Sequence, residues 1–353
     1  MTPLLLLSFL AQTPEPVTAV DAGVPSIELP TLIPVIDAIG AFEARSPTDS
    51  AAWNAFEVPR VHLGLGAEWH GVEAKVLVEG VYATQGGALT GVAGDSLVAR
   101  LREAWAGYRW NFLEARLGLV PTLMIPEQEK AWRFRSLAPD ALEAFGLASP
   151  ADFGATLSAT LPRGYGLVAV AVTNGEGYAS RELNPNKNVE VLAVVHPLPT
   201  LVEPLAVHGV AMVGSQGLPA ATTNRFGGGV VWVGDALGAG VDAYAVQGLL
   251  SDGGRKGTMV QAFARGTLFE HLLLAGRVAW LSRDSTRDDT QLDVLGAVGF
   301  GLGPLESFVA VGHTFLSGAA KGALPGVEGT DVRVVARFKW SAVVPLSMHG
   351  SVP

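Results

Sequence analysis

Apolar and polar residues alternate along most of the chain with a period of two. In VHLGLGAEWHGVEAKVLVEGVY, residues 61–82, apolar side chains occupy every second position of two adjacent segments, with charged, histidine or glycine residues between them. This period is typical of a β-strand with one apolar and one polar face. Gly71 separates the two segments and indicates a tight turn. The pattern therefore predicts an antiparallel hairpin.

The alternation recurs to the end of the chain and predicts sixteen strands. They are expected at residues 33–44, 57–69, 72–84, 97–109, 112–122, 151–161, 166–174, 188–197, 205–215, 225–234, 239–250, 257–268, 272–283, 290–301, 306–317 and 331–343. An even number of amphipathic strands of this length is typical of bacterial outer-membrane barrels.

The connections between these strands alternate between short and long. Tight turns are expected at 69–71, 109–111, 162–164, 234–238, 270–271 and 303–305. The longer polar or glycine-rich connections are SPTDSAAWN, TQGGALTGVAGDS, NGEGYASRELNPNKN, SDGGRKG, RDSTRDDT and SGAAKGALPGVEGTD. Short periplasmic turns and long outer loops characterise membrane barrels, whereas a soluble sandwich has no reason to alternate in this way.

The longest connection is TLMIPEQEKAWRFRSLAPDALEAFGLASP, residues 122–150, between the fifth and sixth strands. A loop of this length in a compact domain usually has a function. We expect this third long loop to fold into the lumen and narrow it, with a short helix at 139–147.

The predicted fold class is all-β, a transmembrane antiparallel β-barrel of about sixteen strands. Only helices and closed barrels pair every backbone polar group within a bilayer. A barrel with lipid outside and water inside requires apolar side chains outward and polar side chains inward. The alternative is a soluble, secreted all-β protein with one solvated sheet face.

Composition narrows the function further. The chain has 353 residues, no cysteine and a net charge of -9, so a disulfide scaffold and a cysteine metal site are excluded and a nucleic-acid partner is disfavoured. We expect no metal and no cofactor. The histidines lack the spacing of a helical zinc pair, and neither a GxSxG elbow nor a P-loop occurs. We therefore expect no enzyme activity.

The N-terminal sequence MTPLLLLSFLAQTPEPVTAVDAG has an apolar run that is too short to span a bilayer, followed by small residues. It predicts a signal peptide at 1–22, although no basic residue precedes the run. The barrel is expected at 23–343 and a C-terminal tail at 344–353.

Residues 97–191 carry a resemblance to a known family. The segments LVARLREAWAGYRWNFLEARLGLVPT, PADFGATLSATLP and VAVTNGEGYASRELNPNKNVEV resemble the phosphate-selective porins of the OprO/OprP type. The resemblance implies a sixteen-stranded outer-membrane channel that assembles as a trimer and passes small anions. It also implies inward arginines that form a ladder through the pore.

Basic residues on polar strand faces and in the third long loop are the candidate pore-lining residues. A lipid-facing arginine or lysine at mid-membrane costs about 2–4 kcal/mol, which favours inward placement. The candidates are Arg100, Arg102, Arg116, Lys130, Arg133, Arg135, Arg265, Arg277, Arg333, Arg337 and Lys339. The alternative is that these cations only pair with acidic residues across the wall.

Two further expectations concern the register and the membrane boundary. The simple period places Glu103 with Leu101 and Trp105 toward lipid, which would require a bulge or a different register. Six tryptophans near strand ends or on outward faces suit interfacial girdles: Trp69, Trp105, Trp110, Trp232, Trp280 and Trp340.

The sequence thus predicts an outer-membrane porin of a Gram-negative bacterium, a channel for passive diffusion of small hydrophilic solutes or ions, including anions such as phosphate. Its expected partners are the lipid bilayer, the solutes and two further copies in a homotrimer. The alternative is an outer-membrane barrel that serves as a structural or surface-interaction protein without an open channel. Because the net charge is -9, a preference for cations stays open.

Overall fold

The computed structural model describes residues 29–83, 96–217, 220–249 and 252–345. Within these residues, sixteen long antiparallel strands form one sheet that closes on itself. The first strand pairs with the last from Val35 opposite Ser341 to Pro47 opposite Gly329, which removes the free edges. The predicted barrel of sixteen strands is confirmed. The predicted signal peptide lies outside the described residues.

The strands closely match those predicted from the sequence. They are β1 (Thr31–Pro47), β2 (Trp53–Trp69), β3 (Val72–Ala83), β4 (Ser96–Trp110), β5 (Leu113–Pro121), β6 (Ala151–Leu161), β7 (Gly166–Thr173), β8 (Asn188–Val195), β9 (Leu205–Gln216), β10 (Ala221–Val233), β11 (Leu237–Leu249), β12 (Asp252–Leu268), β13 (Leu272–Ser282), β14 (Asp289–Leu302), β15 (Leu305–Gly318) and β16 (Gly329–Ser341). A two-residue segment, β17 (Val344–Pro345), continues beside the start of β1, so the predicted C-terminal tail begins with a paired segment.

Within the described residues, three short α-helices and one 3-10 turn lie in connections: α1 (Pro126–Trp132), α2 (Ala141–Ala144), α3 (Ala319–Ala323) and the turn at Pro162–Gly164. Helix α2 lies within the helix predicted at 139–147, whereas α1 was not predicted. Among the described residues, no helix is long and apolar enough to cross a membrane.

The outer face of the barrel is apolar, as the alternation predicts. Valine and leucine residues at every second position of the strands are exposed, for example Leu63 and Leu65 on β2 and Val309 and Val311 on β15. Exposed aromatic residues lie near both ends of the wall: Trp53, Phe56, Phe153, Phe226 and Phe315 near one, and Trp69, Trp110, Tyr165, Phe269, Phe300 and Trp340 near the other. Two aromatic bands with an apolar surface between them match a barrel that spans a bilayer.

A bulge in β4 resolves the predicted conflict at Glu103. Leu77 of β3 pairs with Glu103 and Val78 pairs with Leu101, so Arg102 is the extra residue. Both Arg102 and Glu103 are consequently buried on the inner side. The bulge also turns Trp105 inward, where its indole N–H donates to Glu103 Oε2 at 3.2 Å. The prediction that Trp105 belongs to the lipid-facing girdle was therefore wrong.

The two ends of the barrel differ in their connections. We call the end with the 70–71 and 111–112 turns the turn end, and the opposite end the loop end. Gly71 has a φ of 82°, a left-handed conformation that suits glycine in so tight a turn. One expectation was wrong. Most of SDGGRKG, predicted as a connection, belongs to β12, which begins at Asp252. The connection at 196–204 is longer than the other connections at the turn end.

Candidate functional site: the lumen and its constriction

The connection at 122–150, here called L3, folds into the barrel as predicted. Pro126 opens α1, where its missing N–H costs nothing, and the Asp140 carboxylate caps α2 by accepting from Leu142 N at 2.8 Å. Ala131 and Leu142 are fully buried against the inner wall. L3 therefore fills part of the lumen with ordered structure.

Apolar side chains hold L3 against one side of the wall. Trp132 packs edge-on against Phe263 of β12 at a centroid distance of 5.8 Å, and Phe134 packs against Phe308 of β15 at 4.9 Å. These contacts belong to a core that includes inward residues of β7 to β16. The expectation of a polar inner face was thus wrong for this side of the wall, because its inward residues pack against a loop and not against water.

Inward arginines bind the backbone of L3. Each donates to a different carbonyl oxygen, in the pairs Arg225–Leu147, Arg265–Ala131, Arg277–Pro139, Arg333–Leu137 and Arg337–Arg133. Carbonyls in an irregular loop or in the last turn of a helix lack a backbone partner, so a guanidinium that donates to them stabilises the loop conformation. Four of these arginines are predicted pore-lining residues; Arg225 was not predicted.

A buried polar network links L3 to β9, β11 and β12. Gln261 donates its amide to Asp140 at 2.8 Å and to Asp242 at 3.2 Å. His208 Nε2 lies 3.0 Å from Asp242 Oδ1. Burial raises the pKa of Asp140 to about 6.

The opposite wall, formed by β2 to β4, carries a cluster of charges around Glu79. The carboxylate is fully buried and lies 3.0 Å from Arg60 Nε, 3.1 Å from Arg100 Nε and 3.3 Å from Arg102 Nη1. Tyr178, from the connection between β7 and β8, donates its hydroxyl to Glu79 at 2.6 Å. We call Arg60, Arg100 and Arg102 the arginine cluster; three cations share one carboxylate, so the cluster keeps an excess of positive charge.

L3 presents charged groups toward the arginine cluster. Arg135 bonds to Glu129 and Glu143 of L3 itself. Arg60 Nη2 lies 3.5 Å from Glu143 Oε1, which brings L3 and the β2 wall together across the lumen. This approach defines the constriction, where cations of the wall face carboxylates and one arginine of the loop.

The turn-end side of L3 borders a cavity of about 750 Å³. Seven of the eleven predicted site residues line it: Arg102, Lys130, Arg133, Arg135, Arg265, Arg337 and Lys339. The other four lie elsewhere on the inner wall: Arg100 in the arginine cluster, Arg277 and Arg333 on L3 carbonyls, and Arg116 stacked over the Trp105 ring at 4.3 Å.

Sequence reasoning missed Arg60, Glu79 as the centre of the cluster, and Tyr178. A signal for Arg60 existed, because it occupies the same alternation as His62 in the predicted strand. No local pattern marks Tyr178, which reaches Glu79 only because the barrel brings the two segments together.

Solved outer-membrane porins share this fold. OmpF of Salmonella typhi, in a complex with daunomycin, matches with a TM-score of 0.62 and 11% identity over 88% of this chain and 97% of that chain. The anion-selective porin of Comamonas acidovorans matches with a TM-score of 0.59 and 14% identity over 89% and 100%. The channel DcaP of Acinetobacter baumannii matches with a TM-score of 0.58 and 11% identity over 88% and 97%.

No protein-family model and no curated protein matches the sequence. The likeness to these porins at such low identity shows the fold. Membership of the phosphate-selective family is not shown and stays a resemblance of short segments.

Proposed function

We propose that this chain is an outer-membrane porin of a Gram-negative bacterium that lets small hydrophilic solutes diffuse through a constricted channel. The observation that carries this proposal is the pairing of a closed, lipid-compatible barrel with an ordered loop inside it. L3 meets the arginine cluster where Arg60 and Glu143 approach each other, and a cavity with charged walls borders the turn-end side of L3. Pore width and the field of such groups govern which solutes pass a channel.

A preference for small anions, with phosphate among the candidates, is part of this proposal. Three arginines share Glu79, and positively charged side chains outnumber carboxylates around the cavity beside L3. The Comamonas acidovorans neighbour is described as anion-selective. The charge of -9 on the whole chain acts in the opposite direction, so selectivity depends on the local field of the passage.

A barrel without an open channel, acting as a structural or surface-interaction protein, is the second candidate. The contacts that cross the lumen favour it, since Arg60 meets Glu143 and Tyr178 bonds to Glu79. In this case the charged groups would seal the passage and not conduct through it.

Planar-bilayer recording separates the two candidates. We expect discrete conductance steps in KCl, and a reversal potential under a salt gradient whose sign indicates chloride preference. A protein that inserts, migrates as a folded barrel and gives no steps would contradict the porin proposal. Steps with a cation-selective reversal potential would contradict only the anion preference.

We also propose a homotrimer, supported by the trimer form of the Vibrio cholerae OmpT neighbour, which matches with a TM-score of 0.56. We expect the turn end to face the periplasm and the loop end to face outward. The mass of the detergent-solubilised protein, measured by light scattering with correction for bound detergent, tests the assembly. A monomeric mass would contradict it.

A further inference from the structure

The cavity beside L3 has the opposite charge to the chain as a whole. Seven basic and four acidic side chains line it, whereas the whole chain carries -9. Much of this charge is neutralised locally. Arg337 pairs with Asp37 at 2.8 Å and with Glu306 at 3.3 Å, and Arg133 pairs with Asp235 at 2.9 Å.

Lys339 is a cation of this cavity that has no such neutralising contact. Its side chain faces the lumen from β16 and is exposed. Asp37, opposite Lys339 in the β1–β16 register, is bound by Arg337 through both carboxylate oxygens. Within the described part of the chain, Lys339 forms no ion pair and no side-chain hydrogen bond. It is therefore available to an anion from solution.

Arg265 adds a second positive charge without a carboxylate partner among the described residues. Its guanidinium donates to the carbonyls of Ala131, Asp235 and Gly234 at 2.7, 3.0 and 2.7 Å. Carbonyl oxygens orient the guanidinium but do not cancel its net charge. Its field therefore adds to that of Lys339 in the cavity.

Apart from Thr267, the uncharged remainder of the cavity wall is apolar. Pro126 and Pro150 of L3 and Val233 of β10 line it and are partly exposed, whereas the lining residues Ile125 and Trp132 are almost fully buried. A ligand that is polar on every side, such as inorganic phosphate, would lose hydration there without gaining an apolar contact. A ligand with a carboxylate attached to a hydrocarbon or aromatic group would interact favourably with both the cationic and the apolar parts of the cavity wall.

We infer that this cavity is a binding site for small organic anions, with Lys339 as the contact for the carboxylate and the apolar wall as the contact for the hydrocarbon part. The inference deepens the proposed function and rests on it, because it identifies the class of solute that pauses in the passage. Weak binding next to a constriction raises the local concentration of a solute while still allowing release.

Isothermal titration of the detergent-solubilised full-length protein with benzoate tests this inference. We expect saturable binding that Lys339→Gln weakens roughly tenfold, since one charge-assisted contact contributes about 1.4 kcal/mol at this level. Lys321→Gln is the matched control, because Lys321 lies outside the cavity next to Glu328. We expect it to bind benzoate like the unmodified protein, and we expect inorganic phosphate to bind at least several-fold more weakly than benzoate.

Equal affinity of the Lys339→Gln and unmodified proteins would overturn the inference, as would equal affinity for phosphate and benzoate. Heat-modifiable migration on a gel verifies that each variant is folded. If the protein gives conductance steps but does not bind benzoate, the proposed binding site is contradicted and the proposed porin function is not. If the protein binds benzoate but gives no conductance steps, the proposed binding site is supported and the proposed porin function is contradicted.

Discussion

Glu79 is the residue on which the arginine cluster depends. It is fully buried, and its two oxygens contact Arg60, Arg100 and Arg102 as well as the Tyr178 hydroxyl. A single carboxylate thereby sets both the positions of three cations and the net charge on one side of the constriction. Its replacement by an uncharged isostere changes the charge with little change in shape.

We expect Glu79→Gln to shift the ratio of anion to cation permeability toward anions. The shift is up to roughly fivefold, because a unit charge about 4 Å from an ion contributes about 1 kcal/mol in water. The measurement is the reversal potential under a KCl gradient. Glu114→Gln is the control, since Glu114 pairs with Arg109 and Arg116 at the turn end of the wall. An equal shift in both variants would contradict a special role for Glu79.

Asp140 makes the docking of L3 sensitive to pH. Burial raises the pKa of this carboxyl to about 6 from an ordinary value of 3.8, so the docked loop binds its proton more tightly than an undocked loop would. Docking of L3 therefore becomes more favourable as the pH falls from about 6 toward 3.8. Above this window the buried Asp140 carboxylate is charged, and this charge weakens the docking of L3 by about 3 kcal/mol. Asp242 shares Gln261 with Asp140, and its like charge acts in the same direction.

Hydrogen–deuterium exchange of residues 122–150 checks this expectation. After correction for intrinsic rates, L3 should be more protected at pH 5 than at pH 7.5, and Asp140→Asn should reduce the difference while keeping the helix cap. Asp49→Asn, at an exposed position in the connection between β1 and β2 that does not contact L3, should retain it. An unchanged pH dependence in Asp140→Asn would show that another group is responsible.

At the scale of single residues, the sequence pattern predicted that certain arginines face inward, but it did not predict which groups they contact. The alternation placed Arg265, Arg277, Arg333 and Arg337 on the polar strand faces, because lipid excludes such charges, and in the structure these side chains bond to L3. Their partners are L3 carbonyls more than a hundred positions away in the chain, which no local pattern encodes. The bulge in β4 turns the Trp105 side chain inward. The sequence pattern indicated this bulge only because a simple register would have placed Glu103 toward lipid.

At the scale of elements, L3 is a loop held by a core and by cations. Apolar packing around Trp132 and Phe134 excludes water, while the arginines satisfy carbonyls that would otherwise lie buried without donors. The two contributions are separable by mutation. Loss of the arginines would keep the apolar contacts but would leave the loop carbonyls buried without hydrogen-bond donors.

We expect the double variant Arg265→Met, Arg277→Met to loosen L3. Each lost hydrogen bond to a charged group costs about 1.5–3 kcal/mol, so the loop should undock intermittently and the channel should show larger, noisier conductance steps. Single-channel recording provides the measurement. Arg109→Met is the control, because Arg109 is half exposed and pairs with Glu73 and Glu114 at the turn end. Identical traces for all proteins would contradict this role of the arginines.

Strand positions were predictable because lipid imposes a period of two on every strand. The inner faces of β7 to β16 were less predictable. Phe263 of β12 continues the inward register, yet it packs against Trp132 of L3 and not against water. Periodicity identifies which residues share a face, but it cannot identify what lies against that face when the partner is an irregular loop.

At the scale of the whole molecule, the apolar outer surface and its two aromatic bands define a depth axis. A cation placed on this surface should cost more near the middle of the wall than near its ends. The outward residues of β15 offer both positions: Val311 lies along the strand and Leu305 begins it at the turn end.

We expect Val311→Arg to lower the free energy of unfolding by about 2–4 kcal/mol and Leu305→Arg by about 0–1 kcal/mol. Reversible urea unfolding in lipid vesicles, followed by tryptophan fluorescence, measures both. Equal costs at the two positions would contradict a membrane that surrounds the barrel at mid-height.

The position of L3 in the chain constrains the order in which the molecule can be built. Residues 122–150 are synthesised after five strands, but the surfaces they require belong to strands completed much later, including Phe308 and Arg333. Long-range contacts of this kind form slowly, since the intervening chain must first be ordered. The lumen should consequently reach its final width only as the wall closes, and L3 would be unrestrained in an assembly intermediate.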